Sequence, residues 1–305
     1  MSTLARNLLS FGSLEWQTEQ GHPMTGTPVL VPHPSKVIFM LRINYPQRIR
    51  KTTKFWAFCL VMATSLLTAC KSQVGVEIDA RRHSFENGLS LIAIEDHSVP
   101  VISYQSWFKV GSLNERPGIT GISHLFEHMM FKGSKKFPGD QFDKLLEKNG
   151  GNSNAFTTQD LTGYYENIKS DQIELVVQLE SDRLRSLALN QKNLSSERQV
   201  VLEERRYRVD NSPAGLMRET MWKTIMPENH PYHWPVVGWE KDIKAISLKD
   251  CQKYFDTYYN PANLTLVVVG DFDTDELIEL IEEYYGDLEA KDVPQAQIPK
   301  LKPMR

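Results

Sequence analysis

His124-Leu125-Phe126-Glu127-His128 sets two imidazoles four residues apart, with a carboxylate immediately before the second. On a helix, positions i and i+4 lie about 40° apart, so both rings reach one face, while Glu127 falls about 60° to the other side of His124. A metal held by the two rings would have a carboxylate beside it that need not bind it. Two neutral nitrogen ligands, with a base placed to take a proton from a water the metal has activated, are what metal-assisted hydrolysis requires. Ile122, Leu125, Phe126, Met129 and Met130 flank the pair. A helix this apolar is expected to be buried, and buried imidazoles need partners.

A catalytic zinc commonly takes three protein ligands and keeps one position for water, so a third ligand is expected elsewhere in the chain. The run from Ser195 to Arg206 is the best candidate. Ser195 or Ser196 is placed to cap a helix there, with Glu197 in its first turn, where negative charge is favoured. Glu197 and Glu204 are seven residues apart, almost two turns, so they share a face. One can ligate a metal while the other hydrogen-bonds a ligand histidine. The same residues would also suit a solvated helix of i, i+4 Glu–Arg pairs, and spacing does not choose between Glu203 and Glu204.

His-x-x-Glu-His is a zinc-peptidase signature, the reversed form of His-Glu-x-x-His, and here the chain resembles the pitrilysin/insulinase family, which includes the mitochondrial processing peptidases and bacterial relatives. That family places a ligand glutamate on a second helix well downstream, with another glutamate seven residues before it. Glu204 lies 76 positions after His128, and Glu197 seven before Glu204. The resemblance implies that His124, His128 and Glu204 hold one Zn2+, that Glu127 is the general base, that Glu197 supports a ligand from behind, and that Glu203 is only a neighbour. Asn149-Gly150-Gly151-Asn152-Ser153-Asn154-Ala155-Phe156-Thr157 is similar to the family's substrate-pairing strand, which implies that Asn154, Ala155 and Phe156 contact an extended peptide. Asp160-Leu161-Thr162-Gly163-Tyr164-Tyr165, His230-Pro231-Tyr232, Tyr258-Tyr259-Asn260-Pro261-Ala262-Asn263 and Leu266-Val267-Val268-Val269-Gly270-Asp271 continue the likeness in order.

The front of the chain has a different character. Arg48, Arg50, Lys51 and Lys54 precede an apolar run from Phe55 to Ala69, 15 residues long. This reads as a secretory signal, since a spanning helix needs about 20 residues. Leu67-Thr68-Ala69-Cys70 resembles the bacterial lipobox, so Cys70 is expected to carry a lipid that anchors the protein at a membrane, facing the periplasm. Lys71 resembles the outer-membrane sorting pattern more than the inner. Residues 1–39 read as an over-extended start, 40–69 as the signal, 70–80 as a tether, 81–290 as the zinc-peptidase-type domain and 291–305 as a linker or truncated end. Cys59, Cys70 and Cys251 leave no intramolecular pair after processing, so the fold must stand on its core. A net charge of −3 without a basic run beyond the signal gives no reason to expect nucleic acid as a partner.

The elements that must carry the motif follow from periodicity. Strands are expected at 89–95, 101–110, 152–157, 162–168 and 264–269, and helices at 119–132, 139–148, 171–188, 195–209, 213–225, 247–258 and 273–286. Strands separated by grouped helices predict a single α+β domain with helices on one face of a mainly antiparallel sheet. An exposed strand at 151–157 would let a peptide substrate add itself to the sheet. The expected function is that of a zinc-dependent metalloendopeptidase. Its alternative is a non-catalytic, lipid-anchored subunit that binds zinc and peptide, against which the presence of Glu127 speaks. By resemblance, an Arg and a Tyr from a second homologous domain complete such a site. A partner subunit, a second copy or a missing C-terminal half is therefore expected to supply them.

Overall fold

The computed structural model describes residues 78–301 apart from Gln297, so the expected signal, lipidation site and most of the tether lie outside the described residues. The sheet is built by period-two burial. In Val101–Phe108 (β3), Ile102, Tyr104, Ser106 and Phe108 are buried and the residues between them are not. Arg81–Ser84 (β1), Ser90–Glu95 (β2), Asn152–Thr157 (β4), Thr162–Lys169 (β5) and Leu264–Gly270 (β6) complete six strands in the order β1-β2-β6-β3-β5-β4. Every neighbouring pair is antiparallel except β2 with β6. β4 pairs only with β5 and closes one edge of the sheet.

Eight α-helices are present among the described residues: Ile122–Met129 (α1), Gln141–Lys148 (α2), Ile173–Ser186 (α3), Gln191–Arg205 (α4), Pro213–Ile225 (α5), Glu240–Ala245 (α6), Leu248–Tyr258 (α7) and Thr274–Tyr285 (α8). Except for α5, which buries no residue, their apolar faces meet the sheet in a continuous core that includes Phe126, Tyr164, Val177, Leu194, Val201 and Ile281. Ser103, Gln105, Trp107, Tyr165 and Val267, on the other side, stay half-exposed. The α+β expectation holds. No helix of the described residues is long and apolar enough to cross a membrane.

Three local expectations change. α4 starts at Gln191, because the Asn190 side chain accepts the Asn193 N–H; Ser195 and Ser196 lie inside the helix and Glu197 in its second turn. Asn is as good a cap as Ser, and nothing local ranks one above the other. α4 then passes into a π-turn over Arg206–Asp210. β1 was not expected, for its four residues are all exposed and carry no alternation; only main-chain pairing with β2 makes it a strand.

Candidate metal centre

α1 begins without a side-chain cap of its own. Gly121 occupies the cap position at φ +88°, and the buried Glu115 serves instead, accepting N–H bonds from Gly121 and Ser123, each at 2.9 Å. Burial pushes the Glu115 carboxyl up to about 8 against the pull of those two donors. Asp242 on α6 fixes the preceding turn by accepting from Gly118 N–H at 3.1 Å and Thr120 Oγ1 at 2.8 Å. A methyl group on Gly238 would lie 2.3 Å from the Thr120 carbonyl oxygen and 2.5 Å from Gly121 Cα, and one on Gly121 would lie 2.4 Å from the Val237 oxygen. This corner closes only with glycine on both sides. Arg205 Nη1 donates to the Gly238 carbonyl at 2.9 Å and also holds Glu219 at 2.8 Å. The residue after Glu204 is thereby tied to the corner from which the histidine helix starts.

Gly238→Ala is accordingly expected to cost about 2–5 kcal/mol, the sum of a left-handed backbone and an overpacked contact. Gly139 is also left-handed, at φ +70°, but open space surrounds the position of an added methyl. Gly139→Ala should cost only about 1–2 kcal/mol. Denaturant unfolding of the two variants measures the difference, and equal losses would show that the corner is not tight.

At this junction α1 faces α4. One ligand atom from each of His124, His128 and Glu204 lies within 4.8 Å of the other two. Glu204 Oε2 is 3.5 Å from His124 Nε2 and 3.6 Å from His128 Nε2. Donors about 2.0–2.1 Å from a tetrahedral zinc would be about 3.4 Å apart. Glu204 Oε2 is buried, faces both rings and has no hydrogen-bond partner among the described residues, as does His124 Nδ1. An orphaned buried carboxylate oxygen between two imidazoles is costly unless a cation joins them, so two nitrogens and an oxygen here fit zinc. Behind His128, Nδ1 is 3.6 Å from Glu197 Oε2, and Glu197 Oε1 is held by Lys132 Nζ at 2.8 Å. Glu203 points away and pairs with Arg206 at 2.6 Å in solvent.

The charges of the metal-free site divide unevenly. Burial, reinforced by the neighbouring His128, pushes His124 down to about 3. Burial also opposes charge on His128, but Glu197 and Glu204 outweigh it and hold that ring at about 9. For Glu204, burial is overcome by His128, His124 and Arg208, which bring the carboxyl down to about 2. Between those limits the three candidate ligands together carry one removable proton, on His128. Zinc affinity should therefore rise about tenfold per pH unit from about pH 5 to 7.5, with one proton released per ion bound. Competition titrations at several pH values read that slope, and a slope of two would mean that both imidazoles are charged in the free site.

Glu127 is nearly buried, which raises its pKa and makes it a stronger base. Thr157 Oγ1, from the last residue of β4, donates to Glu127 Oε2 at 2.5 Å. The edge strand and the carboxylate are thus in direct contact. Of the residues expected to meet substrate, Asn154 is exposed and Ala155 turns toward the helices. Phe156 packs edge-on against Trp107 at 5.4 Å and covers Gly163 on the open face. The side chains of the strand divide between two faces, and its main chain is the common feature. Sequence reasoning missed Thr157, Glu115, Asp242, Lys132 and Arg205. For Thr157 the signal was present, since it shares a strand face with Ala155, but nothing local pointed that face at Glu127. A cavity of about 370 Å³ opens beside His124, Thr157 and Glu204, lined further by α5 and the segment around Val237.

A reversed His-x-x-Glu-His helix meeting a downstream glutamate, beneath a mainly antiparallel sheet with β4 at the edge nearest the motif, defines the fold and site of an inverted-motif zinc-peptidase domain. The chain belongs to the insulinase family, peptidase family M16: residues 91–234 match that family model, and residues 245–305 match the model of the peptidase M16 inactive domain. The zinc protease PqqE of Helicobacter pylori is 37% identical over 222 residues, covering 72% of this chain and 49% of the relative. The mitochondrial-processing peptidase subunit beta of Bos taurus is 28% identical over 239 residues, covering 78% of this chain and 48% of the relative. The crystal structure of a protease from Helicobacter pylori matches with a TM-score of 0.70 at 34% identity, covering 72% of this chain and 54% of that one. The first half of the periplasmic protease PqqL from Escherichia coli shares the fold, with a TM-score of 0.65 at 22% identity, over 72% of this chain and 48% of that one. The chain spans about half the length of the curated relatives it matches.

Proposed function

We propose that this protein is a zinc metalloendopeptidase in which His124, His128 and Glu204 hold one zinc ion per chain and Glu127 is the general base. The observation that carries this reading is the convergence of those three donors, one of them an orphaned carboxylate oxygen, with the part-buried carboxylate of Glu127 alongside. Zinc, when bound, polarises the scissile carbonyl and acidifies the attacking water. Glu127 removes a proton from that water as its oxygen bonds to the carbonyl carbon, and returns it to the amine as the C–N bond breaks. Thr157 fixes one oxygen of Glu127 throughout. Glu197, steadied by Lys132, orients the His128 ring. The unpaired edge of β4, at Asn154, Ala155 and Phe156, receives an extended peptide as an added strand.

The domain proposed to do this runs from residue 81 to 290. A second homologous domain or subunit would complete the cleft, a reading supported by relatives about twice as long. A signal over residues 40–69 and a lipid on Cys70 would place the domain in the bacterial envelope, facing the periplasm, with Lys71 directing it to the outer rather than the inner membrane; a similar fold occurs in a protease described as periplasmic. The test is hydrolysis of unstructured peptides by the zinc-loaded protein, with and without a candidate homologous partner. Chelation should abolish it and zinc restore it. Activity that survives complete metal removal would overturn the assignment.

A further inference from the structure

The cavity beside the candidate metal centre has walls of definite chemistry, and most of its polar groups are already engaged. Both oxygens of Glu219 accept from Arg205, at 2.8 and 3.2 Å. Tyr232 Oη donates to Asp160 at 2.7 Å, and Trp234 Nε1 donates to the Ser112 carbonyl at 3.0 Å. Glu204 faces the two imidazoles and is taken up by the proposed metal. Two guanidinium groups and the Gln159 side-chain amide are left, and the neutral amide adds no charge preference. Arg208 approaches Glu204 only to 3.8 Å, and Arg218 makes no hydrogen bond or ion pair among the described residues. Trp222, set edge-on to Tyr232, gives the same cavity an apolar side.

We infer that this cavity is a side-chain subsite for a substrate residue flanking the scissile bond, and that Arg218 makes it select a carboxylate-bearing residue, aspartate or glutamate. The inference rests on the proposed peptidase reading and deepens it. An uncommitted guanidinium offers a planar, two-pronged donor that matches a carboxylate and repels lysine or arginine. Glu219 cannot reverse that preference, because Arg205 neutralises it and occupies both its oxygens. A volume of about 370 Å³ also admits a phenylalanine, for which Trp222 and Tyr232 would be the recognising surfaces. Aromatic selection is therefore the competing outcome.

The experiment compares peptides identical except for Glu, Gln, Phe or Lys at each of the two positions flanking the cleaved bond, using the zinc-loaded full chain. At one position, Glu is expected to exceed Gln by about tenfold in kcat/KM, as hydrogen bonds to a charged group allow. In Arg218→Gln the Glu-to-Gln ratio should fall to near one, and in Arg218→Glu the Lys peptide should become the best substrate. Phe as the preferred residue, or a Glu-to-Gln ratio unchanged in Arg218→Gln, would overturn the inference while leaving the peptidase reading intact. If the wild type cleaves none of the peptides, with or without the candidate homologous partner, the peptidase reading fails separately. Calorimetric binding of the same peptides to zinc-loaded Glu127→Gln then decides the subsite: the order Glu above Gln above Lys supports it, and any other order or no binding refutes it.

Discussion

Glu127→Gln is expected to lower kcat for peptide hydrolysis by about 10²- to 10⁴-fold, the usual contribution of a positioned general base, while zinc stays bound. The substitution keeps the shape of the side chain and leaves an amide oxygen to accept the Thr157 hydroxyl, so the contact between β4 and α1 survives. What it removes is the ability to take a proton. Burial raises the basicity of Glu127 in the wild type, which makes the contrast large, and none of the three candidate zinc donors is altered. Paired measurements of cleavage rate and zinc content on wild type and variant give the result. Equal rates would remove Glu127 from the mechanism, and a zinc-free variant would show that it is a ligand.

The second large effect separates two adjacent glutamates. Glu204→Gln should weaken zinc binding by more than about 100-fold, beyond the 10- to 100-fold typical of residues that only orient a ligand. It deletes the one carboxylate oxygen that faces both imidazoles and removes a charge that holds His128 protonated in the free site. Glu203→Gln breaks only a solvent-exposed pair with Arg206, a contact of the kind that contributes about 0–1 kcal/mol, and should leave zinc affinity and thermal stability close to wild type. Zinc competition titrations of the two variants make the comparison. Similar losses in both would mean that α4 presents a different face from the one described.

These two glutamates also show how much was legible beforehand. Helical spacing groups Glu197 with Glu204, and the structure brings both to the histidine helix, one against His128 from behind and the other in front. Spacing does not rank Glu204 over Glu203, because the axial rotation of a solvated-looking, charge-rich helix is set by what it packs on. Leu194, Val201 and Leu202 supply that packing and turn Glu204 inward. The long elements were readable for the same physical reason in reverse: α8 and β3 bury one periodic face each, so their patterns survive in the sequence. β1 and α6 are too short, or too exposed, to carry a period.

The sequence by itself determined the two histidines and Glu127 as a unit, since three residues on one helix have their relative directions fixed through bonds that every helix makes. It also determined that the strand ending at Thr157 exists. Only the tertiary structure decided that Thr157 reaches Glu127, that Glu115 and Asp242 anchor the turn before α1, that Gly121 and Gly238 touch, and that Arg208 and Arg218 border a cavity beside the triad. Each of these joins segments far apart along the chain, and such contacts are chosen by the shape and burial of the whole core, which no local spacing encodes.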